Sequence, residues 1–166
     1  MMIRDLTVRH VTFRTTRSFE EVVRAFEENV GTLETSGWSS VEAPSRSVAD
    51  FEERVQKTLG PSGFTRFLTL DHGRWLRLYG REAKFVQYII GNPMIAISML
   101  SKDVEAGLDV PVRLAIYEHT DGETRLVYNT PSSLMSGLDG GELKAAAEKL
   151  DAKLFELGEK VTGVKA

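Results

Sequence analysis

Two short stretches carry the residue types most suited to holding a ligand. The first is Gly91-Asn92-Pro93, which follows the apolar run Phe85–Ile90. The second is Tyr128-Asn129-Thr130-Pro131-Ser132-Ser133. Each reads as a strand that ends on Asn and turns at once into a proline-led helix. Gly permits the sharp exit, Asn caps the helix, and Pro takes the first turn, where its missing N–H costs nothing. A helix start exposes unpaired N–H groups and a partial positive charge, and so attracts anions. If the two strands lie parallel as neighbours, Asn92 and Asn129 open at one rim, with Tyr128, Ser132 and Ser133 as further donors. The predicted site is therefore Gly91, Asn92, Pro93, Tyr128, Asn129, Ser132 and Ser133, binding a small polar or anionic ligand or a partner. The plainer reading is that these residues only begin helices.

Other chemistry is sparsely represented. There is no cysteine, which removes thiol nucleophiles, disulfides and thiolate metal sites. The three histidines, His10, His72 and His119, lack metal-ligand spacing, so no metal or cofactor is expected. No Gly-x-Ser-x-Gly elbow, phosphate loop or dinucleotide fingerprint occurs. An enzyme would need a site assembled in three dimensions from His10 or His119 with carboxylates. Paired acids such as Glu20-Glu21, Glu27-Glu28 and Glu52-Glu53 fall on helix faces and read as solvated. Phe64–Lys84 interleaves aromatics with Arg66, Arg74, Arg77, Arg81 and Lys84 against Asp71 and Glu82. That composition suits a single-stranded nucleic-acid surface. The plainer reading puts its aromatics in the core and its arginines in water, and its Trp75 and Tyr79 suit a dimer contact better than nucleic acid.

The elements that position these residues follow from periodicity. Leu6–Phe13 reads as a strand. Ser18 and Glu21 form a capping box ahead of a helix with the stripe Phe19, Val22, Val23, Phe26, Val30. The stretch 35–46 reads as a loop with Trp38 as an anchor, and Ser47 caps a second helix ended by Gly60-Pro61. Phe64–Leu70 and Trp75–Tyr79 are predicted to form a hairpin around Asp71-His72-Gly73-Arg74. Phe85–Ile90, Val110–Tyr117 and Thr124–Tyr128 complete six strands. Pro93 to about Leu100 reads as a short, largely buried helix, and Ser132–Met135 as another. Asp139 is expected to cap a last helix striped by Leu143, Ala146, Ala147, Leu150, Leu154 and Leu157, with Gly158 and Gly163 bracketing a weak tail. The sum is one α+β domain over residues 1–166, a mainly antiparallel sheet with helices packed on one face.

Composition fits a soluble domain: 42 % apolar, 27 % charged, formal charge −3. No global basic field recruits nucleic acid or an anionic membrane. The N-terminus lacks a signal-peptide pattern and no run reaches the ~20 apolar residues of a membrane span, so a cytoplasmic location is expected.

The run Tyr88-Ile-Ile-Gly-Asn-Pro93, then Leu108-Asp-Val-Pro-Val-Arg-Leu-Ala-Ile-Tyr-Glu118, a Gly-containing turn, and Tyr128-Asn-Thr-Pro-Ser-Ser133 resembles the bacterial and archaeal family called domain of unknown function 302. The resemblance covers roughly Phe85–Leu157. It implies an antiparallel sheet with helices on one face, similar to the TATA-binding-protein-like class, and a homodimer. It brings no reaction and no catalytic residues.

Overall fold

The computed structural model describes residues 1–33 and 45–165. The elements in chain order are β1 (His10–Thr15), α1 (Phe19–Asn29), β2 (Gly31–Thr32), α2 (Val48–Thr58), β3 (Thr65–Leu70) and α3 (His72–Leu78). Then come β4 (Phe85–Gly91), α4 (Pro93–Leu100), β5 (Val112–Glu118), β6 (Thr124–Asn129), α5 (Pro131–Leu134) and α6 (Gly141–Thr162). The six strands form one sheet in the order β1-β6-β5-β4-β3-β2. Every pairing is antiparallel except β2 with β3. The architecture is α+β with a mostly antiparallel open sheet.

Alternation along the strands sets the two faces. Val86, Tyr88 and Ile90 of β4, Val112, Leu114 and Ile116 of β5, and Leu126 and Tyr128 of β6 are buried in one core. Helix α6 lays Leu143, Ala147, Leu150, Leu154, Leu157 and Val161 into it, and α1 adds Val22 and Phe26. The opposite face carries Gln87, Ala115, Val127 and Asn129. Among the described residues α3 is the helix packed on that face, through His72, which stands edge-on to Phe85 and 3.3 Å from Gln87 Oε1. The other helices lie on the core side or at its rim, so the one-face expectation holds except for α3.

Several boundaries depart from the expected ones. Trp75–Tyr79 is not a strand. The Asp71 side chain accepts from the Arg74 N–H at 2.7 Å, a helix cap, and Gly80 at φ 73° ends the turn after Tyr79. Residues expected to be a hairpin turn thus start a helix, because a capped Asp-His-Gly-Arg run competes with the turn geometry. The sixth strand is instead β2, two residues long. Strand β1 begins at His10 rather than Leu6, since its partner β6 ends at Asn129 and the register stops at His10↔Asn129. Helix α4 is mostly half-buried rather than buried; only Met99 is fully enclosed.

Asp139 does not cap α6. The helix starts after Gly140, at φ 122° and with no side-chain cap. It also runs unbroken through Gly158 to Thr162, ended by Gly163 at φ 73°. Gly158 has a packing role: a Cβ there would lie 2.3 Å from Phe13 Cε2, so its absence lets α6 press onto β1. The capping box at Ser18 and Glu21 and the cap at Ser47 are present as read. Trp38 and most of the 35–46 stretch lie outside the described residues. Among the described residues no helix is long and apolar enough to cross a membrane.

Candidate functional site

Strands β4 and β6 both run antiparallel to β5, so they are parallel to each other. They are not neighbours. Strand β5 lies between them, which separates the two Asn junctions by two strand spacings, about 10 Å. Both open at the same rim. The chain enters β5 there through Val110-Pro111, and Pro111 stands between the junctions, lining a cavity on each side.

At the first junction Asn92 is fully engaged. Its Oδ1 accepts from the Met94 N–H at 2.9 Å, and its Nδ2 donates to Gly63 O at 3.0 Å. Gly91 is squeezed: a Cβ there would meet Phe67 Cε2 at 3.0 Å and Pro111 Cβ at 3.2 Å. Gly91, Asn92 and Pro93 border a groove of about 490 Å³ whose other walls include Phe51, Phe67, Ile95, Met99 and Leu150. This surroundings is apolar, so it offers an anion little beyond backbone.

At the second junction Ser132 and Ser133, expected as donors to a ligand, are taken by the chain itself. The Asp151 carboxylate of α6 accepts from the Ser132 N–H at 3.1 Å and from the Ser132 hydroxyl. It occupies the place at the start of α5 where an anion would sit. Ser133 Oγ accepts from the Arg9 N–H at 2.9 Å and donates to Thr130 O at 2.8 Å. Tyr128 is 3 % exposed, and its hydroxyl is buried without a hydrogen-bond partner among the described residues. Burial first, and the Asp151 charge second, push the Tyr128 phenol upward from its usual range.

Burial likewise raises the Asp151 carboxyl, although the Ser132 bonds and Arg9 oppose the shift. A carboxyl raised in the folded state favours folding fully below its unfolded pKa, and that contribution is lost as pH rises through the folded pKa. Asp151→Asn keeps the shape, accepts from the Ser132 N–H and can donate to its hydroxyl. Chemical denaturation across pH is therefore expected to show Asp151→Asn gaining on wild type as pH rises above about 4. A variant that falls steadily behind wild type over that range would show that the ionised carboxylate is the better cap. Asp151→Ala, by contrast, is expected to lose about 1–2 kcal/mol, because it leaves the Ser132 donors unmet.

Asn129 has different surroundings. It lies on the open sheet face, where its Oδ1 accepts from His10 Nδ1 at 2.9 Å. That leaves the Asn129 NH2 group as a donor. A cavity of about 250 Å³ lies beside it, lined by His10, Asn129, Gln87 and Arg113, with Ala115, Val127, Leu108, Pro111 and Leu134 among its apolar residues. Asp109 also borders it. Burial pushes the Asp109 carboxyl up, while Arg113 pulls it down. The polar side chains around it are thus two amides, an imidazole, a guanidinium and one carboxyl. Gln87, Arg113 and Asp109 carried no motif in the sequence. Alternation along β4 and β5 was the available signal, since Gln87 and Arg113 fall on the face opposite Tyr88 and Leu114.

The histidines do not gather. His10 stands at the Asn129 end of the sheet. His119 follows β5 at the other end, where its Nδ1 lies 2.9 Å from Asp121 Oδ2. Five residues of β6 separate the two ends, about 17 Å at ~3.4 Å per residue. His72 packs between Trp75 and Phe85. No shared site for His10 and His119 results. Among the described residues no group of three or more His, Asp or Glu side chains could hold a metal ion.

A family model described as "Domain of unknown function DUF302" matches residues 39–161. A crystal structure of an uncharacterized conserved DUF302 protein from Bacillus stearothermophilus superposes with a TM-score of 0.65 at 18 % identity, over 92 % of this chain and 97 % of that one. At that identity the likeness is one of fold. Two curated relatives are "Fluoride-specific ion channel FluC 1" of Brucella suis biovar 1 and of Brucella abortus biovar 1. Each is 32 % identical over 100 residues, 60 % of this chain and 39 % or 37 % of the relative. The chain therefore matches well under half the length of those proteins.

Proposed function

The chain belongs to the DUF302 family, and we propose that it is a non-catalytic binding module that takes a small polar or anionic ligand on its open sheet face, beside Asn129. One observation carries the reading: four residues with polar side chains, Asn129, Gln87, His10 and Arg113, line a single cavity whose walls include Ala115 and Val127. Small apolar residues leave room, and the surrounding N–H donors select oxygen or anion acceptors. Arg113 supplies the charge, partly offset by Asp109. Of the residues predicted from sequence, Asn129 is the one retained as a ligand contact. Asn92, Ser132 and Ser133 are assigned to holding α4 and α5 in place.

The Brucella relatives named as fluoride-specific ion channels favour a small inorganic anion within this ligand class. The module would then serve as an accessory domain in proteins of that kind. Thermal shift and calorimetric titration with fluoride, phosphate and acetate, beside mass spectrometry of co-purified species, test the proposal. Asn129→Ala and Arg113→Ala are each expected to weaken binding about tenfold, the loss of one charge-assisted or amide hydrogen bond. Asn92→Ala should leave affinity unchanged while lowering stability by about 1 kcal/mol through the lost cap. Ligand-induced shifts that survive both Asn129→Ala and Arg113→Ala would rule out this cavity.

A further inference from the structure

The Phe64–Lys84 stretch, expected as a hairpin, resolves into two unlike halves. Arg66 is tied to Glu27 at 2.6 Å, and Lys84 bridges Glu20 at 3.0 Å and Glu118 at 3.2 Å. Arg74, Arg77 and Arg81 have no such ties: among the described residues none has a carboxylate within ion-pair distance. They line α3 and its exit at helical spacing. Beside them, at i, i+3 and i+4, stand Trp75, Leu78 and Tyr79, which are 52 %, 82 % and 89 % exposed. The buried side of the helix is Gly73, fitted so closely that a Cβ would lie 2.4 Å from Ala83 O. The helix is thus pinned to β4 by its small residue and turns a large apolar stripe outward. A stripe of that size on a capped helix is normally turned toward the core.

We infer that this face of α3 docks on an anionic phospholipid bilayer. The charge is complementary: three unpaired guanidiniums project from a protein whose overall charge is −3, so the attraction is local to this patch. The apolar stripe is complementary too. Trp and Tyr settle at the headgroup level with ring bodies in the acyl boundary, and Leu adds apolar insertion. Arginine stems cover apolar surface while their heads reach phosphates. A second copy of the chain is a poorer occupant, because a two-fold contact through this patch would bring three more guanidiniums into one interface. This inference stands apart from the ligand cavity, which opens beside Asn129 and involves none of these residues.

Vesicle co-sedimentation and tryptophan fluorescence test it. In a Trp38→Phe background Trp75 is the sole tryptophan. Phosphatidylcholine vesicles containing phosphatidylserine are expected to sediment the protein and shift Trp75 emission to the blue. Pure phosphatidylcholine vesicles should do neither, and high salt should reverse both effects. Arg74→Gln, Arg77→Gln and Arg81→Gln should each weaken partitioning about fivefold, with circular dichroism unchanged. Leu78→Ser should weaken it comparably. The inference is overturned if anionic vesicles fail to sediment the protein. It is equally overturned if sedimentation leaves Trp75 emission unmoved, or if single-stranded DNA binds where vesicles do not. A concentration-dependent dimer that Leu78→Ser dissolves would assign the stripe to self-association instead.

Discussion

Gly31→Ala is expected to remove about 3 kcal/mol or more of folding stability. At ~2–4 °C per kcal/mol for a chain of this size, melting should fall by roughly 10 °C. The reason is backbone against backbone. An alanine Cβ at Gly31 would lie 1.8 Å from Thr58 O and 2.6 Å from Gly60 N. Reciprocally, a Cβ at Gly60 would lie 2.3 Å from Gly31 N. The two glycines touch because both N–H groups donate to one acceptor, Phe64 O, at 2.9 and 3.0 Å. Neither clash can be relieved by turning a side chain, so relief means breaking that shared carbonyl and the β2–β3 pairing. Urea unfolding should show a lower midpoint with an unchanged slope. Gly60→Ala should cost a similar amount, and the double variant less than the sum, since both disrupt one contact. A loss below ~1 kcal/mol for Gly31→Ala would mean that the α1 and α2 ends separate easily.

Phe26→Ala should cost about 3–5 kcal/mol, the range for emptying a large buried aromatic site. Phe26 is fully buried and stacks on Tyr88, with ring centroids 4.4 Å apart and planes at 28°. This is where α1 meets the middle of the sheet. The Tyr88 hydroxyl donates to Glu27 Oε1 at 3.1 Å, and burial together with that carboxylate pushes the phenol upward. Glu27 also holds Arg66. Tyr88→Phe removes only the hydroxyl and is expected to cost about 1 kcal/mol, because Glu27 keeps Arg66 and water. The contrast between the two variants separates ring packing from the polar cluster at its edge. Equal losses would place the stability in the Glu27 network rather than in the stack.

Much of the fold was legible because its signals are local. The Ser18–Glu21 capping box, the Ser47 cap and the α6 stripe all repeat with the helical period, and a cap needs only residues within one turn. The strands β4, β5 and β6 declared themselves by apolar runs and alternation. Trp75–Tyr79 departs from the expected strand because two local signals compete: Asp71-His72-Gly73-Arg74 serves a turn or a helix cap equally well, and docking of Gly73 against Ala83 decides. Strand β2 carried almost no signal, since two residues define no period.

The candidate site divides along the same line. Sequence alone determined that two strands leave the sheet through Asn into proline-led helices, and that no thiol chemistry is available. Only the tertiary structure decided what those junctions face. It put β5 between them, brought Asp151 from nineteen residues away onto Ser132, and set Gln87 and Arg113 around the same cavity as Asn129. The physical reason is that caps and periodicity act through neighbours along the chain, whereas a cavity is made by residues that strand order alone brings together.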